Sequence, residues 1–181
     1  VGEGGEGHFM RNGKLATENN AALVVLVLEL LLKGSYEVVE QQQLRNVLPL
    51  HLAPKPGKEP PWRIICDGRK VNEHVAPWKF KMESLRTLPM VVEEGDLMFT
   101  CDLEDAYYSA QLQEGSRDLF GAAVKMDAES IEKLREEGRL PEGWEPGPEG
   151  EVHFRPRGLP MGFKNSCVVF TKIARVLTKR W

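Results

Sequence analysis

Asp102 stands directly after the apolar run Leu97-Met98-Phe99-Thr100-Cys101, with Tyr107 a short step further on. A carboxylate in that place can hold a hard divalent cation, because magnesium keeps several waters and takes one or two carboxylates together with substrate phosphates. By itself such an Asp more often forms a turn or caps a helix, and a lone Tyr more often packs in a core. Other residues carry complementary chemistry. Arg63 offers a planar fork that pairs with a phosphate and lies against a base, and Lys55 and Lys58 occupy a proline-rich stretch, Ala53 to Pro61, just before it. Leu159-Pro160-Met161-Gly162 reads as a turn whose glycine allows close backbone approach. Asp67 and Arg69 are spaced as an internal ion pair, modest in energy where exposed.

Strands and helices must bring these residues together. The apolar run from about Ala21 to Lys33 has the length of a buried helix, and Gly34 can end it with a left-handed cap. Tyr36 to Val39 and Val47 to Leu52 alternate as short strands and Trp62 to Cys66 is a third, so the prolines between them form a hairpin tip. Met82 to Glu93 is predicted as a helix interrupted near Pro89, Leu97 to Leu103 as a strand, Ala106 onward as a turn or short helix, and Phe120 to Lys125 as a strand. Met126 to Gly150 contains a charged helical part, Ala128 to Glu137, followed by Gly, Pro and Glu. It reads as an acidic, solvated surface insertion before a strand at Val152 to Arg155. Asn165 or Ser166 can cap a helix running to the C-terminus. Residues 1–20 are predicted to be mobile. Gly2, Gly4 and Gly7 match the letters of a dinucleotide loop, but no strand precedes them and their acidic spacers repel a pyrophosphate.

With 181 residues, 41% of them hydrophobic, the chain is one ordinary domain or a piece of a larger one, and wholesale disorder is excluded. Its net charge of −3 conceals two basic flanks. No acid occurs from Val152 onward, the stretch His51 to Arg86 is net positive, and the acids concentrate between Val91 and Glu151. That division suits phosphate backbones outside and metal ions inside, and equally a solvated surface. Cys66, Cys101 and Cys167 lack zinc spacing and read as small core thiols in a reducing compartment. The longest apolar run is too short to span a bilayer and lacks signal-peptide flanks, so a soluble protein of the cytoplasm or nucleus, with no membrane partner, is expected.

Several strings of the chain match one family. Trp62-Arg63-Ile-Ile-Cys-Asp67-Gly-Arg69-Lys-Val-Asn72 resembles the W-R-x-x-x-D-x-R-x-x-N signature of retroelement fingers, and Glu29 to Gly34 followed by Tyr36 resembles the end of the first fingers helix with its next strand. Lys79-Phe80-Lys81-Met82-Glu83-Ser84-Leu85 looks most like retroelements of the DIRS type. Phe99 to Tyr107, followed by Leu159 to Phe163, resembles a reverse-transcriptase palm. Over about Ala21 to Trp181 the chain is therefore similar to the RNA-directed DNA polymerases of DIRS-like and gypsy-like retrotransposons. The resemblance implies an α+β fold with antiparallel fingers (21–86), the first half of a palm (87–125), and a return after the insertion (151–181).

It also implies roles. Asp102 and the backbone carbonyl of Leu103 would bind magnesium, two ions in the complete enzyme. Arg63 would cover the incoming deoxynucleoside triphosphate, with Lys55 or Lys58 on its terminal phosphate, Tyr107 under the sugar, and Met161 and Gly162 lining the pocket. Asp67 and Arg69 would set the fingers, Glu104 and Asp105 would be surface or structural groups, and Lys164, Lys172 and Arg175 would meet the template strand of an RNA or DNA template-primer. The family's other two carboxylates come from an aromatic-x-Asp-Asp hairpin, whereas no Asp follows Asp127 here. The chain also begins at Val1 and ends in what reads as mid-helix, so a fragment with an unpaired palm edge, inactive alone, is expected. A non-catalytic remnant binding nucleic acid or protein is the alternative. A magnesium phosphohydrolase using Asp102 is weaker, because Glu104 stands where the commonest aspartyl-phosphate motif has a second Asp.

Overall fold

The computed structural model describes residues 8–57, 59–82, 84–90, 92–100 and 102–178. A short strand, His8–Phe9 (β1), and a helix, Lys14–Glu18 (α1), lead into the 13-residue helix Asn20–Leu32 (α2). A helix apolar around most of its circumference has to be buried around most of it, and Leu23, Val24, Leu26, Val27 and Leu31 form the centre of the core. Gly34, at φ 73°, turns the chain out of α2 in the left-handed conformation that glycine adopts without strain.

Next come Tyr36–Val38 (β2), Asn46–Val47 (β3), Leu50–Pro54 (β4), Trp62–Cys66 (β5) and Arg69–Glu73 (α3). The second half contributes Ala106–Ser109 (α4), Glu114–Arg117 (α5), Ala122–Lys125 (β6), Ala128–Glu136 (α6), Glu151–Pro156 (β7) and Ser166–Thr178 (α7). β7 lies between β2 and β6, antiparallel to both, β4 and β5 form an antiparallel hairpin, and β1 pairs in parallel with β3. The architecture is α+β. Among the described residues no helix is long and apolar enough to cross a membrane.

Five expectations change. Residues 8–20, expected to be mobile, are built into the body: Ala16 is fully buried, and the Asn12 side chain accepts from Leu50 N–H and donates to the Ala123 carbonyl, both at 2.9 Å. The single strand expected at Val47 to Leu52 is two, because Pro49 has no N–H to give a ladder and Leu48 N–H bonds instead to Gly121 O. Met82 to Glu93 holds a 3₁₀ turn, Leu85–Met90, rather than an α-helix, with Pro89 denying it a backbone donor.

The expected strand Leu97 to Leu103 pairs with nothing among its described residues; Cys101 lies outside them. Leu97 is 99% and Phe99 92% exposed. A strand is defined by its neighbour's ladder, and none of the described strands pairs with this segment. The insertion is acidic outside but not merely solvated. Asp127 caps α6 by accepting from Ser130 N–H at 2.7 Å, and Ile131, Leu134 and Trp144 enter the core against α2.

Leu134, with no exposed surface, provides a test of that packing. Leu134→Ala should lower the unfolding free energy by about 2–5 kcal/mol in urea denaturation, and a change under about 0.5 kcal/mol, ordinary for a surface site, would contradict it. Acid gives a second test. Burial disfavours the charged form of His153 on β7 and holds its pKa below the usual 6.5, against the opposing pull of Glu151 and Glu40. The unfolded chain then binds that proton first, so stability should fall as pH drops through 6.5 and level off below the depressed folded value. His153→Gln should flatten that part of a melting-temperature profile.

Candidate functional site

One cleft of about 590 Å³ gathers residues from five separate segments. Leu26, Glu29, Leu30 and Lys33 are one face of α2, at the three- and four-residue spacing that brings helical side chains into line. Lys55, Trp62, Arg63 and Ile64 come from the β4–β5 hairpin and its tip, residues 102–108 from the turn into α4, and Met161 from the turn before α7. Its size falls within the range of small-molecule sites.

The hairpin owes its place to alternation. Trp62, Ile64 and Cys66 are partly or fully buried while Arg63 and Ile65 are exposed, as a half-buried strand requires, and Arg63 stands opposite Ala53 in the ladder. Burial pushes the Cys66 thiol up to about 12, which keeps it an inert core group. Beyond β5, Arg69 grips Asp67 with Nε at 2.9 Å and Nη2 at 2.6 Å, and that hydrogen bonding holds the Asp67 carboxyl below its usual value.

Asp105 is the N-cap residue just before α4 and sits in the left-handed region, φ 51°. Lys33 secures it. Its ammonium lies 2.9 Å from Glu29, 3.2 Å from Asp105 and 3.7 Å from Glu104, and the hydrogen bonds to Glu29 and Asp105 raise its pKa. Tyr107 packs edge-to-face on Phe170 of α7, ring centroids 5.5 Å apart, and its carbonyl accepts from Leu159 N–H at 3.1 Å. Burial, aided by Cys167, raises the Tyr107 phenol, so it stays neutral.

Gly162 does not line the cleft. At φ 98° it packs against β5, where a Cβ would collide with the Cys66 carbonyl, and Asn72 Nδ2 donates to its carbonyl at 2.8 Å. The glycine expected to admit a substrate instead admits the neighbouring backbone. Asn72 Oδ1 also accepts from Lys164 N–H at 2.9 Å, and Lys164 Nζ donates to Asn72 O.

Of the expected site residues, Lys55, Arg63, Asp102, Leu103, Tyr107 and Met161 come together in the cleft. Lys58 lies outside the described residues. The expected template contacts are elsewhere: Lys172 lies 4.7 Å over the Trp78 ring, and Arg175 donates to Lys81 O at 2.7 Å. Sequence reading missed Lys33 and the task of Asn72. Asn72 was signalled only as the last letter of the Trp62 string, and Lys33 only as a cation at a helix end.

For a metal, the carboxylate of Asp102 and the main chain of Leu103, the donors that the resemblance implies, both line the cleft, where Glu29 and Asp105 bond to Lys33. Among the described residues no group of three or more His, Cys, Asp or Glu could hold an ion. That donor set fits one magnesium shared with substrate phosphates and does not fit two ions held by protein alone. Comparison with known protein families finds no matching family model, and comparison with curated proteins finds no match.

Gly162→Ala should cost about 1–3 kcal/mol, the range for a residue forced into a sparsely populated backbone region. Denaturant unfolding measures it, and a stability equal to wild type would show that the junction with β5 is not tight.

Proposed function

We propose that this chain is the fingers and leading palm of an RNA-directed DNA polymerase of the retrotransposon kind, acting inside the cell on a template-primer and deoxynucleoside triphosphates. The observation that carries this reading is the convergence of Lys55, Arg63, Asp102, Leu103, Tyr107 and Met161 on one cleft from stretches far apart in sequence. Chance similarity in separate strings gives no reason for such convergence.

Each residue then has a task. Lys55 and Arg63 bind the phosphates, Arg63 through its planar fork, and Tyr107, fixed against Phe170, forms the floor under the sugar. Met161 shapes the side of the pocket. Asp102 and Leu103 would hold magnesium, which when bound supplies the positive charge that stabilises the attacking and leaving oxygens. Lys33 orients the turn that carries Asp102 by holding Asp105. Because no Asp follows Asp127 in the 181 residues to supply the two further carboxylates of the resembled family, the chain by itself is expected to bind nucleotide without polymerising it.

Equilibrium binding of a fluorescent deoxynucleoside triphosphate with magnesium tests the cleft. Arg63→Ala and Asp102→Asn should each weaken binding about tenfold, the scale of one lost charge-assisted hydrogen bond, and Tyr107→Ala should erode discrimination against the ribonucleotide. Binding unaltered by both Arg63→Ala and Asp102→Asn would sink the assignment. Primer extension by the 181-residue chain should be undetectable, and extension that Asp102→Asn abolishes would refute the carboxylate argument.

A further inference from the structure

Glu37 on β2 is held by three guanidiniums. Arg155 Nε lies 2.7 Å and Arg117 Nη1 3.5 Å from its Oε1, and Arg157 Nε lies 2.9 Å from its Oε2. Glu37 and Arg155 are direct partners across the β2–β7 ladder, so that pair alone meets the requirement of cross-strand charge balance. Arg117 and Arg157 are surplus. Among the described residues Glu37 is the one carboxylate within ion-pair distance of the three, which leaves two positive charges unbalanced.

The surplus borders a small cavity of about 270 Å³, lined by Gly34, Tyr108, Gln111, Arg117 and Arg157. Arg139, from the segment after α6, approaches its rim: a Cβ built on Gly34 would lie 3.4 Å from Arg139 Nη1 and 4.0 Å from Arg157 Nη1. Arg117 is largely buried, and cationic charge in such surroundings is costly unless an anion answers it. Each guanidinium has five N–H donors in a fixed fork. Arg117 directs Nε to Leu112 O and Nη1 to Glu37, and Arg157 directs Nε to Glu37, so among the described residues donors remain on both.

We propose that Arg117 and Arg157, with Gln111 and Tyr108, form a phosphate-binding site distinct from the Asp102 cleft, with Arg139 at its entrance. A phosphate group offers oxygens matched to two forks and the negative charge that the cluster lacks. Burial keeps the Tyr108 phenol protonated, and it shares a hydrogen bond with Tyr36. This inference does not rest on the polymerase reading.

The test is arginine-selective modification by phenylglyoxal on the 181-residue chain, mapped by peptide mass spectrometry. Inorganic phosphate at millimolar concentration should slow modification of Arg157, and of Arg117 where it reacts, by about tenfold, as one charge-assisted hydrogen-bonded contact would. Chloride at matched ionic strength should not, and Arg69, paired with Asp67 elsewhere, serves as the internal control. Protection by a short oligothymidylate at lower concentration supports the site and assigns it to a polynucleotide backbone; protection by inorganic phosphate alone supports it and assigns it to small phosphates. Equal rates at Arg157 with and without either probe overturn it. Arg157→Lys keeps the charge that helps balance Glu37 but loses the fork, so phosphate protection of Arg117 and Arg139 should disappear. Protection that survives at both also overturns the proposal.

Discussion

The contact between Gly162 and the end of β5 is the constraint on which the cleft depends. Lys55 and Arg63 belong to the hairpin, whereas Met161 and Tyr107 belong to segments that pack on α7, and long stretches of chain separate the two groups. Backbone meets backbone where Gly162 faces Cys66 and Gly68, and no side chain fits between. Asn72 closes the joint, using both ends of its amide on Gly162 and Lys164 while its own N–H bonds to Gly68 O. Neutral hydrogen bonds contribute about 1 kcal/mol each. Their larger effect here is geometric, because they fix the distance between the two groups of cleft residues.

Lys33 does for the acidic turn what Asn72 does for the glycine turn. It lies at the C-terminal end of α2, where the helix dipole favours a cation, and from there it reaches both Glu29 and Asp105. The left-handed backbone of Asp105 is an unfavourable state for a non-glycine residue, and the ion pair offsets part of that cost. Around Asp102, Leu97, Met98, Phe99 and Leu103 expose their side chains, whereas Lys33 holds the Asp105 end of the turn.

Local patterns gave the helix at Asn20–Leu32, the strand Trp62–Cys66 and the hairpin tip, because an apolar run closed by glycine and an alternating run flanked by prolines state their own structure. Leu97 to Leu103 has the composition of a buried strand yet forms none among its described residues, since composition does not supply a ladder partner. The insertion misled in the opposite way. Its charged residues outnumber the buried Ile131, Leu134 and Trp144, and only the packing against α2 shows that those few residues determine where it lies. The site residues were legible by type, but their assembly was not. Lys33 and Asp105 are 72 residues apart and Asn72 and Gly162 are 90 apart, and neither pairing has a local signature.

The two cavities differ in how their charges are arranged, and that difference limits what each can hold. In the larger one, Lys55 and Arg63 come from the hairpin while Asp102, Glu104 and Asp105 come from the α4 turn, with Lys33 offsetting part of the acidic side. An anion alone meets both signs there. A ligand that joins an anionic group to a bound cation satisfies both segments at once, the anion on the hairpin and the cation on Asp102, so charge separation within the cleft dictates orientation as well as affinity. The smaller cavity contains guanidiniums whose sole carboxylate partner among the described residues is Glu37. Burial pushes the Glu37 carboxyl up, but Arg155 and Arg157 outweigh it and hold the group below its usual 4.5. That carboxylate therefore stays ionised across the neutral range, and the surplus of two charges persists with it. A fixed positive surplus selects anions without needing a metal, which separates the chemistry of the two cavities although Tyr108 borders both.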